Sequence, residues 1–166
     1  LNRQLQEISQ RDPLTQLFNR RRLVECIDHE LARARRGHPM AVLMIDLDRF
    51  KRVNDERGHL SGDDVLVAIS QAIAKNIRAS DLAGRYGGDE FAVVLPDADQ
   101  AQARAVAERL VAAIRQAARE IEPGCSVTAS VGVAEVLRPC CVDRTLHFQA
   151  AVPLDEHAAE SGQIIT

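Results

Sequence analysis

The sequence predicts an α/β fold in which helices pack on a central sheet. Three observations support this prediction: an apolar run of strand length at 39–45, a hairpin signal around Gly87 and Gly88, and three longer segments whose apolar residues recur every three or four positions. In chain order these patterns give helix, strand, helix, hairpin, helix and strand. Such alternation is typical of helices layered on a sheet. The 166 residues suffice for one domain with a substantial core.

Each predicted helix has a recognisable start. The first begins after Asn19, a favourable N-cap residue, and ends near Gly37. The second is predicted to begin at the acidic turn 62–64, and the third at Asp97 or Asp99. The residues expected to face the core are Leu23, Ile27, Leu31 and Ala34, then Val65, Ile69, Ala72, Ile73 and Ile77, then Val106, Leu110, Ile114 and Ala117.

The first strand is predicted from the apolar run at 39–45, which ends in Asp46-Leu47-Asp48. Because side chains alternate along a strand, Asp46 and Asp48 are expected on one face and Leu47 on the other. A last, half-buried strand is predicted where Val127, Val131 and Val133 alternate with Thr128, Ser130 and Gly132.

The predicted hairpin carries two consecutive acids, Asp89 and Glu90, at its tip. We expect Gly87 and Gly88 to supply the positive φ that a tight turn needs. If the hairpin lies beside the first strand, Asp46 joins these two acids. Two like charges about 4 Å apart repel by roughly 4 kcal/mol at an effective dielectric of about 20, so such a cluster favours a cation or a proton. Oxygen ligands without His or Cys favour Mg²⁺ or Mn²⁺ over zinc.

Two other interpretations apply to Asp46-Leu47-Asp48. An EF-hand loop would need a ligand where Phe50 stands, and the required glycine does not follow. Capping of a following helix would explain Asp48 but leaves Asp46 unexplained. The metal hypothesis therefore applies to Asp46 more strongly than to Asp48. No P-loop motif is present, so phosphate binding has to come from backbone N–H groups, a metal ion and isolated cations.

Five motifs together resemble the GGDEF domain of diguanylate cyclases, over residues 11–134. They are Asp12-Pro13-Leu14-Thr15, Asn19-Arg20-Arg21, the segment 46–55, Gly58-His59-Leu60-Ser61-Gly62-Asp63 and Gly87-Gly88-Asp89-Glu90-Phe91. The resemblance implies a mainly antiparallel central sheet like the palm of nucleotide cyclases and polymerases. It also implies that two GTP molecules, one on each subunit of a two-fold homodimer, are joined into cyclic di-GMP with release of two pyrophosphates.

The resemblance assigns roles to individual residues. The implied ligands of Mg²⁺ or Mn²⁺ are Asp46, the Leu47 carbonyl, Asp89 and Glu90. The implied catalytic residues are Asp89, Glu90 and Lys51. We assign the combined role of base and ligand to Asp89, and Glu90 is then a metal ligand or an acid behind it; the sequence does not separate these two roles. The implied GTP-binding residues are Phe50, Lys51, Asn54, Asp63, Gly87 and Gly88, of which Asn54 and Asp63 contact guanine.

Structural alternatives exist for three of these positions. Asn54 alone would be explained as a loop cap and Asp63 as a helix N-cap. Lys51 alone would be an ordinary surface lysine. Because Lys51 and Lys75 are the only lysines in the chain, and Lys51 falls within a motif, the functional interpretation is preferred there.

A second ligand site is implied at Arg78-Ala79-Ser80-Asp81, which has the R-x-x-D pattern of the family's inhibitory product site. Arginine can grip guanine or phosphate with two hydrogen bonds, and aspartate can accept guanine's N–H groups. The alternative is an ion pair at a helix end. Cyclic di-GMP is thus the expected product and a second ligand.

Three regions are expected along the chain. Residues 1–10, with Leu1, Leu5 and Ile8 at seam spacing, are interpreted as the end of an upstream signalling or coiled-coil helix. Residues 11–137 form the GGDEF domain, and 138–166 form an atypical tail. Family members usually have a helix there whose Lys and Arg hold the triphosphate, whereas this tail contains no lysine. The alternative function is therefore a weak or inactive GGDEF domain that senses cyclic di-GMP or GTP.

Composition indicates the environment. A net charge of −3 does not favour nucleic-acid binding, and no apolar run approaches the length of a membrane span. No secretory signal opens the chain, and the four cysteines lack metal-ligand spacing. We expect a cytoplasmic domain, either free or as the cytoplasmic part of a longer, membrane-attached bacterial protein. The first residue is Leu1, so a sensory or regulatory domain is expected upstream.

Overall fold

The structure, a computed structural model, describes residues 10–124 and 126–136 and the backbone of residues 164–165. Its helices and strands, in chain order, are α1 (Arg20–Ala34), β1 (Met40–Asp48), α2 (Phe50–Arg57), α3 (His59–Lys75), β2 (Leu82–Arg85), β3 (Glu90–Pro96), α4 (Gln100–Ile121), β4 (Thr128–Val136) and β5 (Ile164–Ile165). The predicted α/β class is confirmed, and the predicted order of helices and strands holds except that the separate helix α2 and the short strand β5 were not predicted.

The sheet has the strand order β2-β3-β1-β4-β5. β1 pairs antiparallel with β3 and with β4, and β2 pairs antiparallel with β3, while the short β5 runs parallel to β4. Ile45, near the end of β1, lies opposite Phe91 on one side and Val131 on the other. The central, mainly antiparallel sheet expected from the resemblance is therefore present.

β1 is apolar at nearly every position because helices cover both of its faces. Leu43 and Ile45 belong to a large core shared with α3 and α4. Met40 and Val42 pack on the opposite face with Leu23 of α1. The face that carries Met40 and Val42 continues along the strand to Asp46 and Asp48, beyond the buried cluster. These acids are therefore left partly or largely exposed at the end of the central strand.

Two predicted helix starts are confirmed by their caps. The Asn19 side chain accepts a hydrogen bond from the Arg22 backbone N–H at 2.9 Å, which begins α1. Asp99, rather than Asp97, caps α4: its carboxylate accepts from the Gln102 backbone N–H at 2.8 Å, and the Gln102 side chain bonds back to Asp99. This reciprocal pair is a capping box.

The predicted start of the second helix is wrong. The break comes at Gly58, whose φ of 86° ends α2, and α3 begins immediately afterwards at His59. Residues 62–64 therefore lie inside α3, so Asp63 is not an N-cap. Asn54 lies inside α2 and is not a loop cap. The acidic turn signal was overridden because only Gly58 adopts the backbone conformation that separates two helices.

No helix among residues 10–124 and 126–136 is long and apolar enough to cross a membrane. Of the four cysteines, Cys26 is described; it is a buried free thiol, and burial raises its pKa. The predicted seam at Leu1, Leu5 and Ile8 and the predicted tail at 138–166 lie outside the described residues, apart from the two residues of β5.

Candidate active site

The end of β1 meets the start of β3, which brings together the acids predicted to converge. Asp46 lies directly opposite Glu90 in the antiparallel register. The Leu47 backbone N–H donates to the Asp89 carbonyl at 3.2 Å, which ties the bend of the hairpin to β1. Directly opposed residues place their side chains on the same face of a sheet. Asp46, Asp89 and Glu90 are therefore neighbours at one corner of the molecule.

The electrostatics of this corner are unfavourable without a counter-charge. Partial burial is the largest cause that raises the pKa of Asp46, followed by the negative charges of Asp89, Glu90 and Asp48. All of these causes act in the same direction. Carboxylates that repel one another and carry only oxygen donors are the chemistry that Mg²⁺ or Mn²⁺ would relieve.

A closed metal cage is not formed by side chains alone. In the described part of the chain, no three His, Cys, Asp or Glu side chains are grouped so that they could hold an ion together. Mg²⁺ is commonly bound by one or two carboxylates together with substrate phosphates and water. The opposed pair Asp46 and Glu90 fits that mode of binding.

Neutralising Asp46 should stabilise the metal-free domain. A carboxyl whose pKa is higher in the folded than in the unfolded state lowers stability as pH rises from its ordinary value of 3.8 through the raised value. At neutral pH the folded protein therefore carries an unfavourable charge, and Asp46→Asn should raise Tm. Mg²⁺ should raise the Tm of the wild type more than that of the variant.

Thermal unfolding at pH 7, with and without Mg²⁺, measures both effects. Asp28→Asn, at an exposed position of α1, is the matched control and should change neither value. A lower metal-free Tm for Asp46→Asn than for the control would contradict the electrostatic interpretation.

Asp48 has a different environment from Asp46. Its carboxylate accepts hydrogen bonds from the Thr128 and Ser130 hydroxyls, each at 2.7 Å, across to β4. The residue that caps α2 is Arg49, which makes no side-chain cap hydrogen bond. The helix-capping interpretation of Asp48 is therefore wrong; this acid fixes the end of β1 to β4.

The structure explains one of the two hairpin glycines, and for a reason other than the one expected. Among the described glycines only Gly37, Gly58 and Gly124 have positive φ, so the expectation of positive φ at Gly87 and Gly88 is wrong. A Cβ at Gly87 would instead collide with Oε2 of Glu90, whereas one at Gly88 would meet nothing within 4 Å. Gly87 is small because the carboxylate of Glu90 folds over it.

Sequence reasoning missed Arg85, which holds this bend in place. Its Nε donates to the carbonyls of Gly87 and Gly88, each at 3.1 Å, and a terminal nitrogen donates to the Gly88 carbonyl at 2.7 Å. Another terminal nitrogen binds the Asp12 carboxylate at 3.3 Å. An arginine two residues before a Gly-Gly turn, together with a distant Asp that had been given no role, was the only signal available in the sequence.

Asp12 is itself fixed by its neighbours. The Thr15 backbone N–H and hydroxyl both donate to its carboxylate at 2.8 Å. Burial alone would raise the pKa of Asp12, but the bonds from Thr15 and the charge of Arg85 outweigh it and lower that pKa. The segment before α1 is thereby linked through Arg85 to the acidic bend.

The start of α2 lies directly after the acids of β1. Arg49 has a φ of 60° and turns the chain from strand to helix. The Phe50 side chain is buried in the core, so only its backbone is available to a ligand. Lys51 is exposed, and it has no ion pair with another described residue. In this first turn the Arg52 N–H donates to the Arg49 carbonyl at 3.0 Å, whereas the N–H groups of Phe50 and Lys51 have no acceptor within the helix.

The two residues assigned to guanine lie on adjacent helices. Asn54 is on α2 and Asp63 is on α3, and α2 and α3 contact each other. Neither side chain forms a hydrogen bond or ion pair with another residue in the described ranges. Both therefore offer open polar groups to a ligand.

The R-x-x-D segment forms a tight turn after α3. The Arg78 backbone N–H donates to the Asp81 carboxylate at 2.8 Å, and the Asp81 N–H donates to the Arg78 carbonyl at 3.0 Å. The alternative of an ion pair between the two side chains is therefore wrong. Asp81 is buried, whereas the Arg78 guanidinium is exposed and makes no described ion pair.

An antiparallel sheet covered by helices, with opposed acids at the end of its central strand, places the chain in the palm-like class of nucleotide cyclases. Comparison with known proteins narrows the class to a family. The profile described as "Diguanylate cyclase, GGDEF domain" matches residues 9–140. The chain belongs to the GGDEF family.

Three similar proteins illustrate the relationship. The chain is 39% identical over 127 residues to diguanylate cyclase DosC of Escherichia coli K12, covering 76% of this chain and 28% of DosC. It superimposes with a TM-score of 0.79 on diguanylate cyclase SiaD of Pseudomonas aeruginosa, which was solved in complex with its activator SiaC. The two are 40% identical, and the match covers 99% of this chain and 64% of the SiaD chain. The coiled coil and GGDEF domain of DgcB from Caulobacter crescentus, solved with c-di-GMP, gives a TM-score of 0.63 at 28% identity. The match covers 81% of this chain and 73% of that solved chain.

Proposed function

We propose that this domain is a diguanylate cyclase that condenses two GTP into cyclic di-GMP and two pyrophosphates. The observation that carries the proposal is the opposition of Asp46 and Glu90, with the bend at Asp89 bonded to Leu47. Because the chain spans 28% of DosC, the activity proposed is that of the domain.

Asp46, the Leu47 carbonyl, Asp89 and Glu90 would hold Mg²⁺ or Mn²⁺. When bound, the cation neutralises charge on the phosphates. Asp89 accepts the proton of the ribose 3′-OH, whose oxygen attacks the α-phosphorus of the second GTP as the bond to pyrophosphate breaks. Repetition of this step on the other GTP closes the ring.

The remaining assigned residues bind the nucleotide. Lys51 faces the phosphates together with the N–H groups at the start of α2, which lies within reach of the acids because α2 follows β1 directly. Gly87 and Gly88 let the backbone of the bend approach the ligand closely. Asn54 and Asp63 face the edge of guanine.

Each domain provides half of the reaction centre, so the reaction requires a two-fold homodimer. Incubation of the domain with GTP and Mg²⁺, with detection of cyclic di-GMP, tests the proposal. Specific activity should rise with protein concentration, because monomers bind GTP without turning it over. Absence of product across the range in which dimers form would overturn it.

Product inhibition is proposed at Arg78 and Asp81. Arg78→Ala should weaken inhibition by cyclic di-GMP by about tenfold or more, since a charged hydrogen-bond pair to a ligand contributes about 1.5–3 kcal/mol. Initial rate against added product measures the inhibition constant. Arg115→Ala, on the surface of α4, is the matched control. An unchanged inhibition constant in Arg78→Ala would refute this site.

A second candidate function follows from the tail, where residues 138–166 contain no lysine. If the triphosphate lacks the cations that family members provide there, the domain would act as a sensor of cyclic di-GMP or GTP. A calorimetric titration with cyclic di-GMP in the absence of turnover separates the two functions. Binding without synthesis would favour the sensor.

We also propose that the domain, at 11–137, works under control from outside itself. A sensory or regulatory domain would supply this control. Because SiaD was solved in complex with its activator SiaC, we propose a regulatory protein partner for this chain as well. We also infer that the domain acts in the bacterial cytoplasm, where GTP and Mg²⁺ would be supplied.

A further inference from the structure

α2 and α3 come into close contact at Gly62. A Cβ at this position would overlap Oδ1 of Asn54, and it would lie 3.0 Å from Cγ of Asn54 and 3.3 Å from Cζ of Phe50. Phe50 and Asn54 are four residues apart, so both lie on the face of α2 that meets α3. Gly62 is buried at this contact.

Backbone conformation does not explain the glycine. Gly62 lies inside α3, and it is not among the glycines with positive φ. Alanine would be intrinsically more favourable than glycine at an interior helix position. The lack of a side chain therefore serves the contact with Asn54 and Phe50.

The contact between α2 and α3 at Gly62 positions the polar groups of Asn54 and Asp63. Asp63 follows Gly62 directly, and Asn54 rests against Gly62 from the other helix. Guanine presents an O6 acceptor beside its N1–H and N2–H donors. An amide that donates and a carboxylate that accepts complement this edge only if their separation is fixed.

We propose that Gly62 is a positioning residue that determines base specificity. It lets the Asn54 amide seat against α3 beside Asp63, so that the two groups together distinguish guanine from adenine. The inference rests on the proposed function in taking GTP as the ligand. If Gly62 served only the packing of Phe50, its replacement would change stability without changing the preference between bases.

The test is the binding of 3′-deoxy-GTP and 3′-deoxy-ATP, measured by calorimetry with Mg²⁺. These probes lack the reacting hydroxyl, so no product forms. Gly62→Ala should weaken 3′-deoxy-GTP binding about tenfold and leave 3′-deoxy-ATP binding unchanged, because one good base-edge contact is lost. Gly132→Ala is the matched control, since a Cβ there would meet only the Met44 carbonyl, at 4.0 Å.

A double-mutant cycle with Asn54→Ala shows whether Gly62 acts through Asn54. Asn54→Ala removes Oδ1, the atom that a Cβ at Gly62 would overlap. Adding Gly62→Ala to this variant should therefore cause no further loss of 3′-deoxy-GTP binding. The inference would be overturned if the wild type prefers 3′-deoxy-GTP and Gly62→Ala keeps that preference. It would also be overturned if Gly62→Ala weakens 3′-deoxy-GTP binding equally in the wild-type and Asn54→Ala proteins. If Gly62→Ala alone does not fold, the double variant should fold and bind like Asn54→Ala; its failure to fold would also overturn the inference.

The results also separate this inference from the proposed function. A wild-type domain that binds both probes equally would overturn the inference together with the guanine assignment. If the double-mutant cycle gives the expected result but the wild-type domain makes no cyclic di-GMP from GTP, the proposed activity would be overturned. The role of Gly62 in binding guanine would still be supported.

Discussion

Replacing Asp89 with asparagine is expected to abolish formation of cyclic di-GMP at saturating Mg²⁺. The variant keeps the shape of the side chain and the backbone bond from Leu47 to the Asp89 carbonyl. It loses the carboxylate that we propose accepts the proton of the 3′-OH, and with it part of the negative charge that raises the pKa of Asp46. General-base catalysis contributes about 100-fold to 10,000-fold, so kcat should fall within or beyond that range.

The same substitution elsewhere provides the control. Asp99→Asn replaces the N-cap of α4 with a residue that caps about equally well, and it should leave kcat unchanged. GTP binding by Asp89→Asn should persist, because the residues proposed to contact guanine lie on α2 and α3. Robust turnover by Asp89→Asn would refute the role of this acid, and Glu90→Gln would then be the next variant to assay.

Replacing Arg85 with lysine is expected to lower kcat by about 10-fold to 100-fold, while the KM for GTP changes little. The guanidinium makes three hydrogen bonds to the carbonyls of Gly87 and Gly88 and also binds Asp12. Lysine keeps the charge but cannot reproduce this forked geometry. A displacement of about 1 Å at reacting groups can cost about 100-fold in rate, which sets the upper limit.

Steady-state kinetics and thermal unfolding together test this prediction. Arg104→Lys makes the same substitution on the exposed side of α4, where Arg104 pairs with Glu108, and should be neutral. Asp12→Asn should reduce kcat less than Arg85→Lys, because it removes one partner of the guanidinium and leaves the grip on the bend. An Arg85→Lys enzyme with full kcat would show that the bend holds its geometry without this side chain.

Local patterns explain why much of the fold could be predicted. The caps at Asn19 and Asp99 satisfy backbone groups only a few residues away, so their signals are contained in short segments. The run at 39–45 is apolar because both faces of β1 are buried, and that pattern is also visible locally. The error at 62–64 arose because an acidic turn and a helix interior can share the same residues, and Gly58 decided between them.

The sequence by itself determined the α/β class, most of the helix and strand order, the family motifs and the acids that end β1 and begin β3. The tertiary structure alone decided how those acids are held. Arg85 and Asp12 are 73 positions apart, and no local pattern pairs them. A side chain at position 87 would collide with the carboxylate of Glu90, and one at position 62 would collide with the amide of Asn54. Periodicity and caps act within one segment, whereas steric fit and ion pairing depend on which segments the packed core brings into contact.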